Sequence, residues 1–285
     1  MSAPVASVVI PALDAASTLG QQLESLAAQD VAADLEILVM DNGSTDGTQD
    51  VARSWQPRLE RLQVVDASHK RGASNARNLG IELATSDNVL LCDADDCAAP
   101  MWASEMVAQL ASADAVAGRV LPWEVRADPI PSEGYRDSFD ARYDFLPAFT
   151  TNNAAVRKSA VLAVGGFDDR MDPAEDIDLA WRMQLAGQRF VVAPDAVVFA
   201  RPRATPRSVF RQTFAYGRSE VRLYSKFRGD GMPKRSAATG VRKLASLVRT
   251  SPDLADPDAR LHWFGRAGWR CGRVAGSARE HVLYL

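Results

Sequence analysis

Cysteine and histidine are scarce in this sequence, with three residues of each among 285. Cys92, Cys97 and Cys271 are odd in number and do not have the spacing of a zinc site. This pattern argues against a disulfide framework and against a zinc cluster. We therefore expect a reduced, cytoplasmic protein.

Long apolar runs and the common nucleotide-binding glycine motifs are also missing. No stretch of about 18 apolar residues occurs, so we expect no membrane-spanning helix. The N-terminal region has no basic segment before its first apolar run, so we expect no signal peptide. Neither G-x-G-x-x-G nor G-x-x-x-x-G-K-[ST] occurs, which argues against dinucleotide and P-loop chemistry. The composition, 47% hydrophobic and 24% charged, is that of an ordinary globular protein.

The net charge of −3 hides an uneven distribution. Residues 1–200 carry 15 basic and 30 acidic side chains, whereas residues 201–250 carry 13 basic and 2 acidic ones. An acidic body followed by a basic segment indicates a carboxylate-rich site followed by a segment that faces anions. The alternative is that the arginine-rich helices are simply solvated.

Apolar runs alternate with helical patterns through the first 120 residues. Because the runs are apolar throughout, we expect a parallel sheet with helices on both faces and ligands at the C-terminal strand ends. Residues 121–149 lose the pattern and are predicted to form a functional loop. The predicted strands are 6–11, 35–40, 62–65, 88–92, 115–120 and 190–199, and the predicted helices are 17–29, 48–54, 72–84, 101–110, 177–186 and basic helices after 206.

Polar residues follow the predicted strands. The second strand ends in D-N-G-S-T-D-G-T, whose glycines let the backbone approach a ligand. Asp93, Asp95 and Asp96 follow the fourth strand, and three carboxylates so close together favour Mg²⁺ or Mn²⁺. A turn in which Asp96 caps the next helix is the alternative. Residues 70–78 begin the third helix, and a helix N-terminus with small residues and the nearby Arg77 suits an anion. A capped surface helix with Arg77 solvated is the alternative.

A further acidic cluster, D-P-A-E-D-I-D at residues 172–178, opens the helix predicted near residue 177. A carboxylate held there near an acceptor hydroxyl would serve as a general base. Acidic residues in a first helical turn also complement the helix dipole, so a simple helix cap remains an alternative.

In this order the motifs resemble those of the family 2 glycosyltransferases with the GT-A fold, over about residues 5–200. The motifs are V-V-I-P-A-L-D, E-I-L-V-M-D-N-G-S-T-D-G-T, K-R-G-A-S-N-A-R-N-L-G, L-L-C-D-A-D-D, G-G-F-D-D and E-D-I-D-L-A-W-R. The resemblance implies an α/β fold, a Rossmann-like, mainly parallel sheet flanked by helices. It implies a catalytic domain at 1–204, with a donor-binding half at about 1–120 and an acceptor half at about 121–204. A basic helical C-terminal extension follows at 205–285.

The resemblance also implies an activity: an inverting hexosyl- or deoxyhexosyltransferase that uses a nucleotide-diphosphate sugar, an acceptor hydroxyl and Mg²⁺ or Mn²⁺. It places the metal on Asp95 and the catalytic base at Asp176. Expected donor contacts are Pro11, Ala12, Asp14, Asp41, Asn42, Arg77, Asp93 and Ala94. Expected acceptor contacts are Asn152, Asn153, Glu175 and residues 123–149 and 165–169.

Two other functions are alternatives. A sugar-phosphate nucleotidyltransferase would normally carry a glycine- and Arg/Lys-rich first loop, which residues 11–19 lack. A non-catalytic sugar-nucleotide-binding protein would be indicated by loss of Asp95 or Asp176, and both are present. No nucleic-acid partner is expected.

Residues 206–228 combine an aromatic and apolar stripe with a neighbouring row of arginines at helical spacing. One interpretation is peripheral contact with an anionic membrane, at its inner face. The other is that the stripe packs on the catalytic domain while the arginines are solvated or paired with its acidic surface. The stripe is Phe210, Phe214, Gly217, Val221, Tyr224 and Phe227, and the arginines are Arg207, Arg211, Arg218 and Arg222.

Overall fold

A computed structural model describes residues 3–126, 140–141, 143–201, 205–249 and 256–285. Residues 127–139 and 142 of the loop predicted at 121–149 therefore lie outside the described residues. The chain divides into two compact units. The first unit is Met1–Asp140, Pro147–Asp169 and Leu179–Arg201, and the second is Ala141–Leu146, Arg170–Asp178 and Pro202–Leu285.

The strands and helices fall close to their predicted positions. The strands are β1 (Ala6–Ala12), β2 (Leu35–Asp41), β3 (Leu62–Asp66), β4 (Asn88–Leu91), β5 (Cys97–Ala98), β6 (Ala115–Pro122), β7 (Asp140–Ala141), β8 (Pro147–Ala148), β9 (Ala154–Arg157) and β10 (Phe190–Ala200). The helices are α1 (Leu19–Ala27), α2 (Thr48–Ser54), α3 (Ala73–Leu83), α4 (Trp102–Leu110), α5 (Lys158–Ala163), α6 (Glu175–Leu185), α7 (Pro206–Phe227), α8 (Ala237–Arg249) and α9 (Pro257–Arg279).

The first unit is built on an eight-stranded sheet with strand order β3-β2-β1-β4-β9-β6-β10-β5. Strands β1 to β4 are parallel, and β10 runs parallel to β6. Strand β9 lies antiparallel between β4 and β6, and the short β5 is antiparallel to β10. The sheet is thus mainly parallel, as expected, but two of its strands reverse direction.

Helices cover both faces of this sheet, because its central strands are apolar on both sides. On one face Leu23 of α1 and Trp102 of α4 are buried in the main core cluster. On the other face α3 approaches β1 so closely that a Cβ at Gly80 would lie 2.4 Å from Val9 Cγ1. The predicted alternation of strands and helices is confirmed.

The second unit is a helical assembly held by a glycine seam between α7 and α9. A Cβ at Gly217 would lie 2.0 Å from the carbonyl oxygen of Trp269, and one at Gly272 would lie 2.1 Å from that of Phe214. Only glycine permits backbones to approach so closely. The buried Glu220 of α7 accepts hydrogen bonds from Arg273 and from Trp269 Nε1, each at 2.7 Å.

The aromatic stripe predicted at 206–228 is part of this packing. Val221, Tyr224 and Phe227 are buried, and Phe214 and Gly217 face α9. Part of the stripe is therefore covered within the second unit, where α9 lies against α7. Arg222 of the neighbouring row lies 3.6 Å from the Glu280 carboxylate. Among the described helices none is both long and apolar enough to cross a bilayer.

Candidate active site

The C-terminal ends of β1, β2 and β4 meet at a cavity of about 480 Å³. Ala12 pairs with Asp41 in the sheet, and the Asn42 N–H donates to the Ala12 carbonyl at 2.8 Å, so the loops after β1 and β2 emerge side by side. The cavity gathers most of the residues predicted to bind donor and metal. These are Pro11, Ala12, Asp14, Asn42, Arg77, Asp93, Ala94 and Asp95.

The loops after β1 and β2 are cross-linked by hydrogen bonds. The Thr45 N–H donates to Asp14 Oδ1 at 2.8 Å, and the Asp14 N–H donates to Ser44 Oγ at 3.0 Å. The Ala16 N–H donates to Asp46 Oδ2 at 3.0 Å. Hydrogen bonds from the Thr48 side chain and from Ala16 lower the pKa of Asp46. These contacts order the loop that lines the cavity before any ligand binds.

Asp41 and Asn42 take different positions although they are adjacent. Asn42 lines the cavity, where its Nδ2 donates to the Ala67 carbonyl at 2.8 Å and its Oδ1 accepts from the Gly72 N–H at 2.7 Å. Asp41 is 1% exposed and accepts from Gln49 Nε2 at 2.7 Å. Asp41 was expected to contact the donor. Its carboxylate instead lies in the core, where it binds Gln49 of α2, and it is not among the residues that line the cavity.

Arg77, the fifth residue of α3, lines the cavity, although only 4% of the residue is exposed. Its guanidinium forms an ion pair with Asp93 at 2.8 Å. Because this arginine is nearly buried and already held by Asp93, binding an anion would cost it little further conformational freedom. Arg71, Gly72 and Ala73, at the start of the same helix, also line the cavity. Their position at a helix N-terminus was the sequence signal for them.

Three carboxylates crowd the edge of the cavity. One oxygen from each of Asp93, Asp95 and Asp96 lies within 4.8 Å of the others. Asp95 is exposed, Asp93 is half-buried and Asp96 is buried. Burial, together with the charges of Asp93 and Asp95, raises the pKa of Asp96 to about 7. Asn152 Nδ2 donates to Asp96 Oδ2 at 3.0 Å, which brings one predicted acceptor residue next to this cluster.

Arg201 also lies at this cluster. Its Nε donates to the backbone carbonyl of Asp95 at 3.1 Å, and its guanidinium carbon lies 3.6 Å from the centre of the Trp123 ring. It also contacts the Gln21 side chain. The available signal was a basic residue directly after β10, a strand whose C-terminal end reaches the same edge of the sheet as β4.

Asn153 differs from the expectation of an acceptor contact, because it is fully buried. Its Oδ1 accepts from Trp102 Nε1 at 2.8 Å. Its Nδ2 donates to the carbonyls of Arg119 at 2.8 Å and Ala196 at 3.0 Å, where the pairing of β6 with β10 breaks register. The amide therefore bridges β6 and β10 where their pairing is interrupted.

The turn predicted to meet the acceptor, residues 165–169, is held against α3. Asn78 accepts from the Phe167 N–H at 2.8 Å and donates to the Phe167 carbonyl at 2.9 Å. Lys70 forms an ion pair with Asp169, which lowers the pKa of that carboxyl. The Phe167 ring centre lies 5.9 Å from the Arg77 guanidinium carbon. The turn is thus fixed next to a residue of the donor cavity.

The acidic cluster at the start of α6 contains carboxylates in different environments. Asp178 is fully buried and forms an ion pair with Lys226 at 2.5 Å, and Glu175 is also buried. Asp176 is half-buried, and one of its oxygens accepts from the Ile177 N–H at 2.7 Å. Of these three acids, Asp176 presents the most accessible carboxylate.

This chain matches the model of the family described as glycosyl transferase family 2 over residues 7–162, which is more than half of its length. The chain belongs to glycosyl transferase family 2. A second model, glycosyl transferase family group 2, matches residues 88–250. This chain is 28% identical over 265 residues to a pre-mycofactocin glycosyltransferase of Mycobacterium tuberculosis, and 25% identical over 231 residues to glycosyltransferase AglE of Haloferax volcanii. The first alignment covers 85% of this chain but only 55% of the mycobacterial protein. The second covers 78% of this chain and 74% of AglE.

Solved structures resemble this family 2 member in fold. The mannosyltransferase PcManGT from Pyrobaculum calidifontis, in complex with GDP-Man and Mn²⁺, matches with a TM-score of 0.59 at 22% identity, over 99% of this chain and 76% of the other. S. aureus TarS residues 1–349 in complex with UDP-GlcNAc match with a TM-score of 0.56 at 17% identity, over 97% of this chain and 92% of the TarS chain. These likenesses establish the GT-A architecture that the sequence motifs implied.

Proposed function

We propose that this chain transfers a sugar from a nucleotide-diphosphate donor to an acceptor hydroxyl, with inversion at the anomeric carbon. The observation that carries the proposal is the cavity at the ends of β1, β2 and β4. There the loop carrying Asp14, the buried Arg77 and the cluster of Asp93 and Asp95 line one cavity. A nucleoside, a diphosphate and a divalent cation are the ligands that such a set of groups suits. The GDP-Man and UDP-GlcNAc complexes of the structural neighbours support a donor of this class.

The residues present fit Mg²⁺ or Mn²⁺. Hard divalent cations take carboxylate oxygens together with substrate phosphates. The raised pKa of Asp96, caused by burial and by Asp93, indicates that negative charge in this cluster is not fully offset by the protein. Asp95, which is exposed, would hold the cation, with Asp93 beside it. When bound, the cation would offset the charge of the departing diphosphate.

On the donor side, the residues of this chain bind and orient. The start of α3 directs backbone N–H groups toward the cavity, and Arg77 adds a positive charge fixed by Asp93. Such preorganised donors stabilise charge on a leaving group without reorganising during the reaction. Arg201, stacked on Trp123, would keep the Asp95 backbone in place.

On the acceptor side, Asp176 would take the proton from the acceptor hydroxyl as that oxygen attacks the anomeric carbon. The bond from that carbon to the diphosphate breaks, and its electron pair leaves with the diphosphate. One displacement from the face opposite the nucleotide inverts the configuration. The partial exposure of Asp176 supports this assignment, whereas Asp178 is already engaged with Lys226. Asn152 and Glu175 remain the proposed acceptor contacts, in a cytoplasmic enzyme.

The deciding experiment measures nucleotide release from a panel of UDP-, GDP- and dTDP-sugars, with Mn²⁺, with Mg²⁺ and with EDTA. The proposal expects release from one donor class, dependent on the cation and lost in Asp95→Ala. Release of pyrophosphate from a nucleoside triphosphate and a sugar phosphate would instead identify a nucleotidyltransferase. Donor binding with no turnover of any donor, across a panel of acceptors, would identify a binding protein.

A further inference from the structure

A cavity of about 590 Å³ lies in the second unit among α7, α8 and α9. Four cationic side chains line it: Lys243 from α8 and Arg266, Arg270 and Arg273 from α9. Trp269 and the aliphatic part of the wall supply apolar surface, and Asp258 lies at its edge. None of these residues takes part in the proposed sugar transfer.

The positive charge in this cavity is only partly offset. Arg273 is neutralised by the buried Glu220, with two contacts of 2.7 Å. Within the ranges that the structure describes, no carboxylate forms an ion pair with Lys243, Arg266 or Arg270. Burial and the neighbouring charges of Arg266 and Arg273 lower the pKa of Arg270. Like charges held this close indicate a site that an anion would stabilise.

Two of the guanidinium groups are already oriented. Arg270 donates to the Lys243 carbonyl and to Ser246 Oγ, which ties α9 to α8. Arg273 is held by Glu220 from the opposite side. Lys243 and Arg266 are exposed and can adjust to a ligand. A fixed pair with two adaptable cations binds a phosphate group at a small cost in side-chain entropy.

Apolar side chains continue from the cationic cavity along the surface. Val241 and Leu244 of α8 are 56% and 38% exposed, and Val274 of α9 is 44% exposed. These three side chains line a second, smaller cavity together with Lys243, Arg270 and Arg273, so the two cavities have three cations in common. A cationic cavity beside apolar side chains suits a ligand with an anionic head and an apolar tail.

We propose that the second unit binds the phosphate head group of an anionic lipid in this cavity, with the lipid chain over Val241, Leu244 and Val274. This location differs from the α7 stripe that the sequence analysis considered for membrane contact. The proposal does not depend on sugar transfer, because it concerns binding alone.

The test is co-sedimentation of the full chain with phosphatidylcholine vesicles, with and without phosphatidic acid. The cavity variant is Lys243→Gln/Arg266→Gln. The control variant is Arg242→Gln/Arg279→Gln, which removes the same charge from exposed sites on the same two helices but outside the cavity. Because all four side chains are exposed, we expect both variants to fold, which thermal unfolding checks.

We expect binding to phosphatidic acid vesicles, none to neutral vesicles, and at least about 10-fold weaker binding by the cavity variant, because each substitution removes a charge-assisted contact with the phosphate. The control should lose less than about threefold. An equal loss in both variants would mean a diffuse electrostatic attraction and would overturn the site, as would no binding to anionic vesicles.

A second measurement separates a lipid from a soluble phosphate. Calorimetric titration with inorganic pyrophosphate is compared between the wild type and Lys243→Gln/Arg266→Gln, so that any binding in the donor cavity is common to both proteins. Leu244→Ser removes apolar surface only, and the proposal expects it to weaken vesicle binding. Pyrophosphate binding that the cavity variant loses, together with wild-type vesicle affinity in Leu244→Ser, would overturn the lipid assignment and identify a soluble phosphate as the ligand.

Discussion

Replacing Asn153 by alanine distinguishes a structural amide from an acceptor-binding one. The substitution removes the partner of the Trp102 indole N–H and of the carbonyls of Arg119 and Ala196, all within the core. A buried polar group left without its partner costs about 1–3 kcal/mol. A buried carbonyl tolerates the loss of a partner better than a buried N–H does. We therefore expect the three groups together to lower the free energy of unfolding by about 3–5 kcal/mol, near the low end of their summed range.

The assay is thermal unfolding, followed by transfer kinetics at a temperature where the variant is folded. A loss of about 3–5 kcal/mol corresponds to a fall in Tm of roughly 6–20 °C in a domain of this size. The Michaelis constant for the acceptor should stay within about twofold. Asn152→Ala is the matched control, because Asn152 is only half-buried and makes one hydrogen bond, to Asp96. That control should cost less than about 1.5 kcal/mol.

The reasoning fails if Asn153→Ala unfolds at the wild-type temperature. It fails equally if the variant keeps its stability and raises the Michaelis constant for the acceptor several-fold. Either result would favour the role that we expected from the sequence, in which Asn153 contacts the acceptor. Gly118→Ala offers an independent check, since a Cβ there would lie 2.4 Å from Asn153 Oδ1 and from the Ala196 carbonyl oxygen. We expect it to lower Tm as well.

Other substitutions test the proposed chemistry. Asp95→Ala should abolish cation-dependent donor binding, which calorimetry with and without Mn²⁺ measures. Because Asp95 is exposed, Tm should stay within about 2 °C of the wild-type value. Unchanged activity in EDTA would contradict the metal assignment. Asp176→Asn should lower kcat at least about 100-fold with unchanged donor affinity, and wild-type turnover would leave this residue as a helix cap. Asp178→Asn should lower Tm because it leaves Lys226 without its buried partner; a smaller effect on Tm than that of Asp176→Asn would refute this division of roles. Arg201→Lys keeps the charge but loses the planar contact with Trp123, so the apparent affinity for Mn²⁺ should fall roughly 5- to 20-fold, and an unchanged affinity would show that Arg201 does not support Asp95.

Much of the first unit could be predicted because its signals are local. β1, β2 and β4 are short apolar runs, and each ends in polar residues that the parallel sheet brings to one edge. The cluster of Asp93 and Asp95 follows β4 directly, so its place in the sheet follows from the strand itself. The helix that begins at Ala73 was predicted to within a residue, from small and apolar residues at helical spacing.

Neighbouring residues in the motifs could not be told apart by sequence. Asp41 and Asn42 are adjacent, yet one lies beneath the α2 helix and the other lines the cavity. Asn152 and Asn153 are also adjacent, and only the first reaches the carboxylate cluster. Both pairs lie where a strand meets a turn, and there the fold of the turn decides which of two neighbouring side chains enters the core.

The sequence by itself determined the family, the order of elements and the residue types at the strand ends, because periodicity and turn chemistry are encoded over a few neighbouring residues. Tertiary structure alone decided the antiparallel insertion of β9, the burial of Asn153 and the contact of Arg201 with Asp95. It also decided that the α7 stripe packs on α9 and that Lys243 and Arg270 share a cavity. These features join residues far apart in the chain, and their free energy comes from packing and charge that exist only once the chain has folded.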